Sequence, residues 1–188
     1  MLFAENDYMP PLTTPDLHLR RLTMGDAADM FEYSEDPDVA RFVLWYPHRT
    51  ISDTRSFLRY TLKAYRAGEP ASYGIALNEN DRVIGTIGFS NISYEHRCAE
   101  IGYSLSKAYW NHGYMTQALN AMLHYGFERQ GYYRIEAVHD IRNEASGRVM
   151  EKCGMRLEGT MRGKLYSKGE HITVRLYAVT LPDFKSLR

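Results

Sequence analysis

The stretch YWNHGYMTQAL, from Tyr109 to Leu119, has the residues to hold an anion. It leads from a strand-like run, AEIGYSLS, into a long apolar-striped helix, and the turn Asn111-His112-Gly113 between them carries a glycine. The first four N–H groups of a helix have no partner inside it, and they carry the positive end of its dipole. Such a turn is a natural seat for a diphosphate, and Gly113 lets the backbone approach a ligand without a Cβ in the way. The same residues also suit a plain strand-to-helix turn. Neither GxxxxGK[ST] nor GxGxxG is present, which argues against a nucleoside triphosphate and against a dinucleotide in a doubly wound crevice. Asn143, just before EASGRVMEKC, stands at an N-cap position. Cys98 and Cys153 are far apart and show no metal-ligand spacing.

These groups need a scaffold that brings them together. LHLRRLT, residues 17–23, alternates apolar and polar residues as a half-buried strand does. Ala27, Met30 and Phe31 mark a helix over residues 26–33. Pro37 and Pro47 interrupt DPDVARFVLWYPHRT, which reads as a short helix and an irregular loop. Ser52 is expected to cap the next helix, with Ile51 before it as a staple. Phe57, Leu58, Thr61, Leu62 and Tyr65 mark that helix, and Gly68 and Pro70 end it. SYGIALN and RVIGTIGFSNIS flank the turn NEND, and CAEIGYSLS follows SYEHR, so three strands form an antiparallel meander.

The long helix is expected over residues 113–128, with Met115, Ala118, Leu119, Met122, Leu123 and Phe127 on one face. YRIEAVH is reached through this helical crossover, so it is expected to run parallel to the strand before it. A short helix ended by Gly154 and two strands around Lys168-Gly169 complete the order β-α-α-β-β-β-α-β-α-β-β. The fold class is α/β of the mixed α+β kind, with about seven strands, mostly antiparallel, one central parallel pair that splays, and about four flanking helices. A cleft is expected at the carboxyl ends of the parallel pair.

The length of 188 residues suggests a single domain over residues 1–188, its core within about 17–181. Hydrophobic residues make up 44% and charged residues 24%, with Lys plus Arg equal to Asp plus Glu at 23 each. A balanced charge offers no general attraction to nucleic acid or to a membrane surface, and no apolar stretch is long enough to span a bilayer. The two cysteines fit a reducing cytoplasm. MLFAENDYMPPL has no basic region followed by an apolar run, so no leader is read there. The 15 tyrosines suit half-polar pocket walls and strands equally.

AEIGYSLSKAYWNHGYMTQAL and IEAVHDIRNEASGRVMEKCGMRLEGTMRG together resemble the GNAT superfamily of acyl-CoA-dependent N-acyltransferases, above all its ribosomal-protein N-terminal acetyltransferase (Rim-type) branch. The family's EIGY followed by Leu stands here as Glu100-Ile101-Gly102-Tyr103 and Leu105. Its loop pattern [QR]xxGx[GA] falls on Trp110-Asn111-His112-Gly113-Tyr114-Met115. The branch's WxxGYxTEA is WNHGYMTQA, with Gln117 for the usual Glu. NxxS…KxGF appears as Asn143, Ser146, Lys152, Gly154 and Met155.

The resemblance implies acetyl-CoA as cosubstrate, no metal, and direct attack by an acceptor amine. It puts the diphosphate on the amides of Asn111, His112, Gly113, Tyr114, Met115 and Thr116. Met115 replaces a small residue and must turn its side chain into the core. The pantetheine arm is expected to add like a strand along Tyr103 and Leu105, with an N–H near Leu105 polarising the thioester carbonyl. Asn143 is expected to bond that arm as well as cap its helix.

Ser146 can meet the CoA sulfur. Met150 occupies the place where many relatives carry a tyrosine acid, which leaves Ser146, a water or no acid at all to protonate the thiolate. For the base, Glu100 comes first, then Glu158, then His139; Glu100 paired with Arg97 as an ordinary strand carboxylate is the competing reading. Trp45, Tyr46 and His48 are expected to wall the amine pocket, or else to pack the loop on the sheet. The acceptor, a protein N-terminus or a small-molecule amine, stays open, as does a homodimer. A catalytically silent acetyl-CoA-binding or sensing module is the alternative, since Met150 cannot donate a proton.

Overall fold

The computed structural model of the protein describes residues 9–186. Residues 1–8, which open the stretch read as having no leader, lie outside the described residues. Eight strands form one sheet: β1 (Leu12–Thr13), β2 (Leu17–Arg21), β3 (Tyr73–Leu77), β4 (Val83–Ser93), β5 (Cys98–Leu105), β6 (Arg134–Asp140), β7 (Arg156–Ser167) and β8 (Glu170–Thr180). Their spatial order is β1-β2-β3-β4-β5-β6-β8-β7. Six helices pack around it: α1 (Ala27–Ser34), α2 (Pro37–Ala40), α3 (Ile51–Ala67), α4 (Tyr114–His124), α5 (Glu144–Lys152) and α6 (Leu181–Ser186). The expected mixed fold is present, with β1 and α6 beyond the elements that the sequence marks. Among the described residues no helix is long and apolar enough to cross a membrane.

Alternation decides which side chains meet which layer. Along β5, Ala99, Ile101, Tyr103 and Leu105 face α4 and α5, whose Met115, Ala118, Leu119, Met122 and Met150 join them in one core. On the other face a second cluster forms from Leu22, Met30, Tyr33, Leu58 and Val83 under α1 and α3. Burying one such leucine or isoleucine contributes about 1.5–3 kcal/mol. The caps differ from expectation at α3. Thr50, not Ser52, precedes the helix, and Asp53 Oδ2 accepts the Thr50 N–H at 3.0 Å. Ile51 therefore enters the helix instead of stapling it from outside.

The parallel step between β5 and β6 is short. Its register pairs are Cys98↔Arg134, Ala99↔Ile135 and Glu100↔Glu136, and pairing stops there. β5 follows β4 as far as Leu105, while β6 follows β8 to Asp140. Each strand stays with its own half of the sheet, and the twist of the two halves opens a gap beyond Glu100 and Glu136.

Candidate active site

A cleft of about 1440 Å³ passes through this gap. Residues from both faces of the sheet line it: Tyr103, Asn143 and Ser146 from the α4–α5 side, Glu100, Trp45 and Val174 from the α1–α3 side. A ligand held on one face can thus reach a ligand held on the other.

On the α4 side the turn has the expected form. Asn111 and Gly113 have φ of +64° and +80°. A Cβ on Gly113 would meet nothing within 4 Å, so backbone conformation, not space, calls for glycine here. Trp110 Nε1 donates to Leu105 O at 2.9 Å and ties the turn to the end of β5. Asn111, Gly113, Tyr114, Met115 and Thr116 line the cleft, with the Met115 side chain buried in the core. His112 is not in the lining; its Nδ1–H donates to Trp110 O at 2.8 Å and its ring stacks on Tyr114.

The gap also exposes strand edge. Ser106 N–H donates to Ile84 O at 2.7 Å, so by antiparallel alternation the even-numbered residues of β5 bond β4. The N–H groups of Tyr103 and Leu105 then point toward β6, past the end of that ladder. Across the gap Asn143 caps α5, its Oδ1 accepting Ser146 N–H at 3.4 Å. Tyr103 Oη lies 2.9 Å from Ser146 Oγ. Burial raises the Tyr103 phenol well above its ordinary value. Met150 is 1% exposed and offers no proton.

The base candidates separate clearly. Five carboxylates line the cleft: Asp38, Glu100, Glu136, Asp140 and Glu144. Asp38 pairs with Lys107, Glu136 with Arg134, Asp140 with Arg142 and Glu144 with Arg148. Glu100 has no cation within ion-pair distance among the described residues. Arg97, its expected partner, donates instead to Gly131 O at 2.8 Å, and Glu100 Oε2 accepts from Asn91 Nδ2 at 2.8 Å. Glu158 is outside the lining: β7 reaches the cleft only farther along, at Met161, Lys164 and Leu165. Arg134 grips it with two bonds of 2.7 and 2.6 Å and holds its carboxyl below the usual range. His139 lines the cleft but is 5% exposed, with Nδ1–H donating to Asp140 O at 2.8 Å. Asn91 and Glu136 were not legible as site residues. Asn91's signal is a polar break, Ser90-Asn91, after the mostly apolar run Val83–Phe89.

On the α1–α3 side Phe42, Val43, Leu44 and Trp45 form an apolar wall with Phe57 and Tyr60 of α3. Facing it are Ile172, Val174 and Leu176 of β8. His48 belongs to the lining, bonded to Thr54 Oγ1 at 2.8 Å, and burial lowers its pKa. Tyr46 is outside the lining and 66% exposed, its ring 5.9 Å from Lys168 Nζ. Lys168 Nζ also donates to the carbonyls of Ala40 and Val43, so the β7–β8 hairpin straps the wall in place.

The family pattern described as acetyltransferase (GNAT) domain matches residues 16–156. An uncharacterized N-acetyltransferase of Bacillus subtilis, YoaA, is 31% identical over 173 residues, covering 92% of this chain and 98% of that protein. The ribosomal-protein-serine acetyltransferase of Escherichia coli is 28% identical over 126 residues, 67% of this chain and 69% of its own. In fold, the chain matches Mycobacterium smegmatis RimJ in complex with CoA-disulfide with a TM-score of 0.80 at 23% identity, covering 92% of this chain and 87% of that one.

Proposed function

The chain belongs to the GNAT acetyltransferase family, and from that starting point we propose that it transfers acetyl from acetyl-CoA to a primary amine by direct attack. The observation that carries this reading is the position of Glu100, which has no ion-pair partner among the described residues, at the mouth of a gap that runs through the sheet. The diphosphate of acetyl-CoA lies on the amides of the turn from Asn111 to Thr116, where the helix dipole favours it. The pantetheine arm runs along the N–H groups of Tyr103 and Leu105, and the Asn143 side chain bonds it from α5. The thioester carbonyl then accepts a hydrogen bond from this edge, which stabilises the oxyanion as it forms.

The acceptor enters from the α1–α3 side. Its ammonium first gives one proton to solvent and becomes the free amine; as the nitrogen then bonds to the carbonyl carbon, the N–H becomes acidic and Glu100 takes the second proton. The C–S bond breaks and the electron pair goes to sulfur. Ser146 Oγ–H meets this thiolate, with Tyr103 Oη–H donating to Ser146 in turn. The phenol's raised pKa means that it keeps its proton, so the chain of hydroxyls supplies hydrogen bonds rather than acid. A thiol of pKa about 8.5 needs no dedicated acid near neutral pH.

One uncancelled carboxylate between apolar walls suits an acceptor with one ammonium beside an apolar group. A protein N-terminus or an apolar monoamine fits better than a polyamine or an aminoglycoside. Two free cysteines, Cys98 and Cys153, suit a reducing compartment, and we read the protein as cytoplasmic. The test is release of CoA thiol from acetyl-CoA with a panel of such amines. Turnover with a monoamine or peptide, reduced about 10²–10⁴-fold in Glu100→Gln, is expected. Tight acetyl-CoA binding with no turnover on any amine would sink the enzymatic reading and favour a silent binding module.

A further inference from the structure

Asn91 interrupts β4 with φ of +46°, where the register with β5 shifts between Ser90 and Ser93. Left-handed backbone inside a strand is disfavoured for any residue with a Cβ, though asparagine tolerates it better than most. Glycine would fit such a bulge with no steric penalty. Strain of this kind persists where the surrounding structure holds it, often beside functional groups. Here the strained residue sends its amide to one place: Nδ2 donates to Glu100 Oε2 at 2.8 Å. Both residues line the cleft.

We infer that Asn91 is a positioning residue of the transfer reaction, orienting the Glu100 carboxylate so that Oε1 is presented to the acceptor nitrogen. The inference rests on the reading of Glu100 as proton acceptor. The chemistry of the amide explains why a neutral donor stands here. Lysine or arginine would cancel the charge that attracts the ammonium, whereas asparagine fixes one oxygen and leaves the charge intact. The other titratable groups on this face are Cys98, two positions back on β5, and Glu136, the register partner on β6, which Arg134 holds. Farther along the cleft lie Asp38, Asp140 and Glu144 with their cations, the histidines His48 and His139, and Lys152 and Lys164.

The experiment compares Asn91→Gly, Asn91→Asp and Glu100→Gln with the unaltered protein, measuring thermal stability, KM for acetyl-CoA, and kcat/KM for the amine from acid to alkaline pH. Asn91→Gly relieves the backbone and removes the donor. It is expected to melt no lower than the parent and to keep KM for acetyl-CoA. Its kcat/KM should fall about tenfold, the scale of one hydrogen bond to a charged group, with the acid limb of its pH profile moved upward. Asn91→Asp keeps the size and the turn but sets a second carboxylate against Glu100, so its acid limb should move further up and its activity recover at alkaline pH. If both variants kept the parent's kcat/KM and pH profile while Glu100→Gln lost activity, Asn91 would serve the turn alone. If Glu100→Gln itself retained full activity, the reading of Glu100 would fail first, and the inference with it.

Discussion

Tyr103 Oη and Ser146 Oγ stand 2.9 Å apart across the open gap, one on the strand before the diphosphate turn, the other in the first turn of α5. This contact joins β5 to the helix that follows β6, beyond the point where the two strands have ceased to pair, and it marks the point at which the thioester sulfur is expected. Ser146→Ala removes the donor to the thiolate and should lower kcat about tenfold while KM for acetyl-CoA changes little. Tyr103→Phe should lower kcat by less. The double variant should lose no more than Ser146→Ala alone, because the phenol acts through the hydroxyl. Steady-state thiol release reads all three, and additive losses would contradict a single chain of hydroxyls.

At the turn, Gly113→Ala places a Cβ on backbone with φ of +80° and should destabilise the fold by about 1 kcal/mol. The larger effect should be on the cofactor. Calorimetric titration should show CoA binding weakened and binding of pantetheine, which carries no diphosphate, unaffected, since the proposal sets only the diphosphate on these amides.

Glu158 serves as a contrast. Its bond to Arg134 holds its pKa below the model-peptide value of 4.5, so it stabilises the fold above that pH and loses this role as pH falls through the folded value. The side chain is 41% exposed, and solvent screening limits the pair to about 1 kcal/mol or less. Glu158→Gln should therefore melt slightly lower at neutral pH, match the parent at acid pH, and keep full turnover. Melting curves at two pH values and one rate measurement decide it.

Lys168 offers a fourth test. Burial lowers its pKa, yet it bonds two carbonyls of the segment that walls the acceptor side. Lys168→Met should raise KM for the amine severalfold and leave KM for acetyl-CoA unchanged, because the strap bonds the wall on the α1–α3 side, by which the amine is proposed to enter.

Much of the fold is legible in the sequence. Apolar alternation and helical spacing place seven of the strands, the crossover and the glycine turn before α4, because long segments carry periodic signals. Two-residue β1 carries no period and went unread. Helix α4 stops at His124 and continues as a wider turn over Tyr125–Arg129, a change of hydrogen bonding that leaves the apolar spacing intact. Glu158 is expected near the cleft because α5 runs directly into β7, yet β7 meets the cleft only from Met161 onward, and Arg134 holds Glu158 outside it. Partnerships over long separations, such as Tyr103 with Ser146 or Glu158 with Arg134, depend on register that no local pattern states. Asn91 is the sharpest case: its meaning lies in a φ angle and in the residue opposite it.

The most direct test is a crystal structure with acetyl-CoA bound. The diphosphate is predicted within hydrogen-bond distance of the N–H groups of residues 111–116, with the thioester between Leu105 and Ser146 and its carbonyl carbon accessible from Glu100. A ligand seated elsewhere, or strands β5 and β6 paired past Glu100 so that no gap remained, would contradict the account.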